Sequence, residues 1–211
     1  MSFPQEAMDF FAELTLDNTR EFWEANTERH LRVVRAPMEA IAAGLTDEFG
    51  TTKLYRPNRD VRFSADKSPY KTHQGLVVMT APACGWYLEV NADAVVAGGG
   101  FYRADPANLA AFREAVDDDI RGPELERLAA ELADEGYEIW GDRVKTAPRG
   151  WPRTHPRIDL LRWRAFAPMT DIDPSVEGPE EVLEEVRRIW RRVEPVMEWL
   201  DVLNVDPSEV L

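Results

Sequence analysis

Hydrophobic and polar positions recur along this chain with two different periods, and the places where the period changes mark its organisation. Pro4 suits a first helical position, and Phe10, Phe11 and Leu14 follow at helical spacing. Asp17 or Asn18 is placed to cap a second, longer helix running to Gly50. The apolar positions of that helix are Phe22, Trp23, Leu31, Val34, Met38, Ile41 and Leu45, and Pro37 is set to kink or divide it. From Lys53 the pattern shortens to strand period. Leu54–Asn58, Arg59–Phe63, Gly75–Ala81, Gly85–Asn91 and Ala94–Phe101 read as short strands. Proline, glycine and asparagine punctuate them, and connections this short favour antiparallel hairpins over crossovers.

Helical spacing returns at Asp105–Ile120, where Asp105 caps and Pro106 fills the first turn, and again at about Pro123–Glu135. A proline- and arginine-rich stretch runs from Val144 to Pro156, and Leu160–Phe166 reads as a further strand. Gly178 and Pro179 open a last helix, from Glu180 to about Leu203, interrupted by Pro195. No internal repeat and no low-complexity segment is present. Helices, then strands, then helices again predict an α+β fold: one domain of 211 residues, with a mostly antiparallel sheet packed by N-terminal, middle and C-terminal helices.

Composition narrows the setting. With 44% apolar and 30% charged residues, the chain can bury a core and is not a disordered one. Its one cysteine, Cys84, excludes an intrachain disulfide and a cysteine-based zinc cluster, and its place in an apolar hairpin suits an inert core thiol. The start of the chain carries Glu6 and Asp9 where a secretory leader needs basic residues and an apolar run. The longest uncharged run, between Lys71 and Glu89, is broken by Gly75, Pro82 and Gly85, which suits strands and not a membrane helix. The expected setting is therefore the cytoplasm, with no membrane partner.

Charge changes the picture more. The formal net charge of −14 argues against duplex nucleic acid as the main partner. The basic residues are concentrated, however. Lys53–His73 holds six of them against Asp60 and Asp66, and Arg143–Arg164 holds seven against Asp159. An acidic shell around such a focus disfavours large polyanions and still admits a phosphate-sized group.

In the first segment, strand alternation would put Asp60, Arg62 and Ser64 on one face and Arg59, Val61 and Phe63 on the other. An arginine held by a carboxylate keeps spare N–H donors that can grip a phosphate or carboxylate in two-point fashion. The competing reading is a structural Arg–Asp network that locks strand to helix.

The same run, Arg59-Asp60-Val61-Arg62-Phe63-Ser64-Ala65-Asp66-Lys67-Ser68-Pro69-Tyr70-Lys71, resembles the core signature of the DUF2461 family. Three further features are similar to it, in the same order. They are Asn18-Thr19-Arg20-Glu21-Phe22-Trp23 with Asn26, then Gly98-Gly99-Gly100-Phe101-Tyr102 with Leu109 and Arg113, then Lys145–Trp151 with His155-Pro156 and Asp159-Leu160-Leu161. The chain departs from the family pattern at Phe22-Trp23, Thr27 and His30. The resemblance covers roughly residues 4–167. It implies one shared domain and a shared set of polar residues, and it names no reaction.

Other constellations are weaker. Gly98-Gly99-Gly100 precedes a helix, but Asp105 would occupy the cap and repel an anion, so close backbone approach within the sheet is the better reading. His30, His73 and His155 lack metal-ligand spacing, and no motif names a cofactor. His155, within the second basic segment, is the best acid–base candidate.

The expected function is binding of a small phosphorylated or carboxylated ligand, with an enzyme left open. Arg59, Arg62, Asp66, Lys67 and Lys71 would bind it, with Arg149 and Asp159 from the later loop. Asp60 would orient an arginine, and His155 or Tyr70 would move a proton. The alternative is a non-catalytic adaptor whose basic patch receives an acidic protein or nucleic acid. Oligomeric state is not legible in this pattern.

Overall fold

The computed structural model describes residues 2–60, 62, 66–81, 83–102 and 105–203. The fold is α+β, and its strands form a six-stranded antiparallel sheet in the order β1-β2-β3-β4-β6-β5. These strands are β1 (Thr52–Leu54), β2 (Gln74–Ala81), β3 (Cys84–Val90), β4 (Val95–Phe101), β5 (Glu138–Trp140) and β6 (Ala167–Asp171). Two registers are Thr52 opposite Val78 and Glu138 opposite Met169. The helices are α1 (Gln5–Leu16), α2 (Arg20–His30), α3 (Ala36–Phe49), α4 (Pro106–Asp117), α5 (Arg121–Asp134), α6 (Ile158–Leu161) and α7 (Gly178–Trp199).

The chain divides into two compact units. The first comprises Met1–Val78, Tyr87–Ala97 and Asp171–Arg188. Its core joins Phe10, Phe11 and Leu14 of α1 to Met38, Ile41 and Leu45 of α3 and to Leu76, Leu88 and Val90 of the strands, all essentially inaccessible. The long helix expected up to Gly50 is divided here by a π-turn, Leu31–Arg35, where the Ala36 amide donates to the Leu31 carbonyl. Pro37 has no N–H to give to the turn before it, which is why the regular ladder fails at that point. The cap of α2 is Thr19, whose side chain accepts from the Phe22 amide, and not Asp17 or Asn18. Asn18 is committed elsewhere, as described below.

The second unit comprises Met79–Trp86, Gly98–Thr170 and Ile189–Leu211. Its core stacks Trp86 on Trp190 at 5.5 Å and clusters Phe101, Phe112, Phe166 and Trp199. Asp105 caps α4 as expected, accepting from the Asn108 amide at 2.9 Å. The triple glycine lies within β4, and a Cβ on Gly98 or Gly100 would strike the backbone of Pro168 or Phe166. Glycine is there to let two strands close, not to cradle a phosphate.

Two expected strands are corrected. Leu160–Phe166 does not form one: Ile158–Leu161 is the short helix α6, and the strand begins at Ala167. Leu161 is fully buried by that helical turn. Arg59–Phe63 is also not a strand, since Arg59 and Asp60 are irregular; Val61, Phe63 and Ser64 lie outside the described residues. The expected strand Leu54–Asn58 shrinks to Thr52–Leu54. Strand β5 is an addition, three residues long and too short for alternation to reveal it.

Candidate functional site

The basic segment of the first unit is organised by one short ribbon. Asn58 and Tyr70 form an antiparallel bridge. The Arg59 amide donates to the Pro69 carbonyl at 2.9 Å, and the Lys71 amide donates to the Pro57 carbonyl at 2.8 Å. Positions two apart on such a ribbon share a face, so Arg59 and Lys71 belong to one face and Asn58 and Tyr70 to the other. The Tyr70 face is the supported one. The Asn18 side chain pairs reciprocally with the Tyr70 backbone, donating to its carbonyl at 3.0 Å and accepting from its amide at 3.1 Å. The Tyr70 ring stacks on Trp23 at 4.3 Å and 12°, and Trp23 in turn meets His30 at 4.8 Å. Burial, with a smaller push from Arg35, lowers the pKa of His30 to about 4.

The other face collects cations. The Arg59 guanidinium pairs with Asp66, whose carboxyl is held below its usual range first by the Ser68 hydroxyl and amide and then by Arg59. Arg62 grips Asp60 in two-point fashion at 3.0 and 2.7 Å, and that pair stands in solvent, with the arginine side chain 76% exposed. Lys67 is exposed. The Lys71 ammonium lies 4.8 Å from the centre of the Tyr55 ring. Its pKa is pushed below the ordinary lysine value by burial, and further by Arg56 and Arg59. Among the described residues it has no carboxylate partner.

Beside Lys71 the chain enters a cleft of about 420 Å³, also within the first unit, lined by Thr15 of α1, Thr72, His73, Glu89 of β3, Asn91 and Asp93 among others. Glu89 is its most constrained group. Tyr87 donates its hydroxyl to one carboxylate oxygen at 2.6 Å, and the Asn91 amide donates to the other at 3.0 Å. His73 Nε2 is 3.8 Å from the same carboxylate. Burial lowers the His73 pKa; Glu89 opposes this, while Lys71 and Arg59 add to it. Burial and Glu89 raise the Tyr87 phenol. Gly75 permits the arrangement, because a Cβ there would meet the Tyr87 hydroxyl and the Tyr55 ring below 3.0 Å.

The remaining expected residues fall in the second unit, where the basic segment acts as a strap on α4. His155 donates from Nε2 to Asp117 at 2.8 Å and accepts at Nδ1 from the Arg157 amide at 3.0 Å, so both ring nitrogens are engaged. This hydrogen-bond pattern assigns the Nε2–H tautomer. Arg157 caps the end of α4, donating to the carbonyls of Val116 and Asp117 at 2.6 and 2.7 Å. Asp159 accepts from Arg162 at 2.8 Å, and Arg143 lies over the Trp163 ring. Arg149 is exposed, as are Lys145 and Arg153. The Cys84 thiol is buried, and burial raises its pKa to about 11. Among the described residues no group of three or more histidine, cysteine or acidic side chains could hold a metal ion. No described helix is long and apolar enough to cross a membrane.

Glu89, Asn91 and Asp93 are not expected at a site from the sequence, and His73 is not singled out by it. The signal for them is present in β3: Trp86, Leu88 and Val90 alternate with Tyr87, Glu89 and Asn91, so one face is core and the other polar. A family model described as "Conserved hypothetical protein (DUF2461)" matches residues 6–199. No curated protein and no solved structure matches the chain.

Proposed function

We propose, for a chain that belongs to the DUF2461 family, a binding function: the first unit takes up a small phosphorylated or carboxylated molecule at the cations beside its polar cleft. One observation carries this reading. Lys71 shares a ribbon face with Arg59, lies among like charges, is half-buried and has no carboxylate partner among the described residues. Holding cations together costs free energy that an oxyanion repays, and a partly desolvated site strengthens the attraction. Lys71 and Arg59 would take the oxyanion, with Asp66 orienting the Arg59 fork. Arg62, Lys67 and Asp60 would stand at the outer margin. Tyr70 acts from the opposite face as support. Of the loop in the second unit, Arg149 stands in solvent with Lys145 and Arg153, while His155 and Asp159 are tied to their own neighbours. The single buried thiol suits a reducing compartment, so we place the chain in the cytoplasm.

The test is a thermal-shift and calorimetric screen with inorganic phosphate and a panel of phosphorylated and carboxylated metabolites at low salt. A ligand present at 100 times its Kd adds about 2.7 kcal/mol of stability and raises Tm by roughly 5–10 °C for a chain of this size. Lys71→Met is expected to abolish that rise without lowering the unliganded Tm by more than a degree or two. No shift with any member of the panel removes the proposal.

A second reading has its own observation. Lys145, Arg149 and Arg153 project from the proline-braced loop of the second unit into solvent, as an adaptor for an acidic protein segment would require. Binding of a polyglutamate peptide that survives Lys71→Met and is lost on neutralising these three residues would favour it.

A further inference from the structure

The site proposed above has two electrical poles. Next in sequence to the cleft-lining Thr72, Lys71 shares a ribbon face with Arg59, and Arg56 adds to the field at Lys71. Within the cleft, Glu89 is held with both oxygens oriented, one by Tyr87 and one by Asn91, and its side chain is only 12% exposed. Asp93, farther along the same wall, is exposed. His73 lies between the poles, 3.8 Å from Glu89 on one side and within the field of Lys71 and Arg59 on the other. Among the described residues, His73 is the only ion-pair partner of Glu89, and burial favours its neutral form. Among the described residues, no lysine or arginine is paired with this carboxylate.

A simple anion bound at the rim would leave that charge uncompensated and would meet a negative potential as it extended inward. A ligand carrying a cation at the far end would satisfy both poles. A protonated amine fits the chemistry: it is a compact three-donor group, and Glu89 with the hydroxyls of Thr15 and Thr72 supplies acceptors around it, while Asn91 orients the carboxylate. A volume of about 420 Å³ lies within the range of small-molecule sites.

Resting on the anion-site reading, we infer that the cleft selects a dipolar small molecule, with a phosphate or carboxylate at Lys71 and Arg59 and a protonated amine at Glu89. The class is a phosphorylated amine or an amino acid, and the two sources of the oxyanion are separated by the test.

The test uses the full chain and probes matched in all but the amine: phosphoethanolamine against ethyl phosphate, and 4-aminobutyrate against butyrate, each titrated calorimetrically at low salt. The expected result is at least a tenfold tighter Kd for the amine-bearing member of one pair, and the pair that shows it identifies the oxyanion. Glu89→Gln, which keeps the shape and an acceptor for Tyr87, is expected to reduce that preference to about onefold, weakening the amine-bearing probe and, by removing the negative potential, slightly tightening the amine-free one. Lys71→Met is expected to weaken both members alike. Equal binding within both pairs overturns the inference and leaves the anion site standing. Absence of binding by all four probes, together with a silent phosphate screen, overturns both. Because the preference is read first on the unaltered chain, a Glu89→Gln variant that fails to fold does not shield the inference; Asn91→Ala then serves in its place, and an undiminished preference in it counts against the cleft as the amine end.

Discussion

The two basic segments carry similar charge and use it in opposite ways. In the second unit, Arg157 is spent on the carbonyls of Val116 and Asp117, Arg162 on Asp159, Arg143 on an indole ring, and His155 on Asp117. Each of these four has an intramolecular task, and Arg157 and His155 fasten the proline-braced loop to the end of α4, while Lys145, Arg149 and Arg153 stay exposed. In the first unit, Arg59 has Asp66, but Lys71 is left facing Arg59 and Arg56. The lesson is that a count of arginines does not locate a binding site; what matters is which charges the fold leaves uncompensated. In the first segment Lys71 has no carboxylate partner among the described residues, whereas His155, Arg157 and Arg162 of the second are tied to their own neighbours.

Substitutions can break that contrast. The largest effect is expected beneath the first segment, at His30. Its folded value of about 4 lies below the ordinary 6.5, so between those values the unfolded chain binds more protons than the folded one. Stability is therefore expected to fall as pH drops from 6.5 to about 4, by roughly 3 kcal/mol in all from this group, and to change no further from it below that. His30→Leu removes this slope, which urea unfolding across the pH range would read. Since His30 packs under Trp23 and Trp23 under Tyr70, the same acidification is expected to weaken phosphate binding at Lys71. A slope that persists in the variant assigns the acid sensitivity to another group.

The next effect belongs to the second segment. Arg157→Ala is expected to cost about 2 kcal/mol, because charged donors to helix-terminal carbonyls are lost and those carbonyls are only partly rehydrated. The phosphate-induced thermal shift should be unchanged. A variant that kept its stability and lost the shift would reverse the roles assigned to the two segments. Asn18→Ala comes third, at about 1 kcal/mol for two neutral hydrogen bonds. Here the phosphate response should weaken as well, because the ribbon carrying Lys71 loses its anchor.

How much of this was legible in the sequence follows from the range of the interactions. The α+β class, the five helical regions and strands β2 to β4 were readable because apolar spacing is local. Asp105 as a cap was readable for the same reason, since a cap acts three residues along the chain. Asn18 looked like a cap too, yet its partner Tyr70 is 52 residues away, and Thr19 took the role. The run Arg59–Phe63 has a strand-like alternation, but among the described residues around it the Asn58–Tyr70 bridge is the pairing that forms, and two prolines flank that bridge. At the candidate site, Arg59 and Lys71 were named from charge and from the family resemblance. Glu89, Asn91 and His73 were not, because their meaning depends on a strand face meeting a loop. Pairing between distant residues leaves no periodic trace.

The smallest expected effect is the most discriminating. Without ligand, Lys71→Met should change stability by no more than a few tenths of a kcal/mol. The lost cation–π contact with Tyr55, worth about 0.5 kcal/mol at a half-exposed site, is offset by relief from Arg56 and Arg59. The alkaline behaviour distinguishes this balance from simple tolerance. Because the folded pKa of Lys71 is below the ordinary 10.5, the unfolded chain binds more protons in the interval between them, and stability rises with pH across that interval. The methionine variant lacks this increment, so its stability relative to the unaltered chain should be highest below the interval and decline through it. Raising salt should narrow the difference at neutral pH, since part of the repulsion is screened. If Lys71→Met instead costs more than about 1 kcal/mol at neutral pH, the ammonium holds the first unit together as Arg157 holds the second. The two segments would then be alike, and the first would have no charge to offer a ligand.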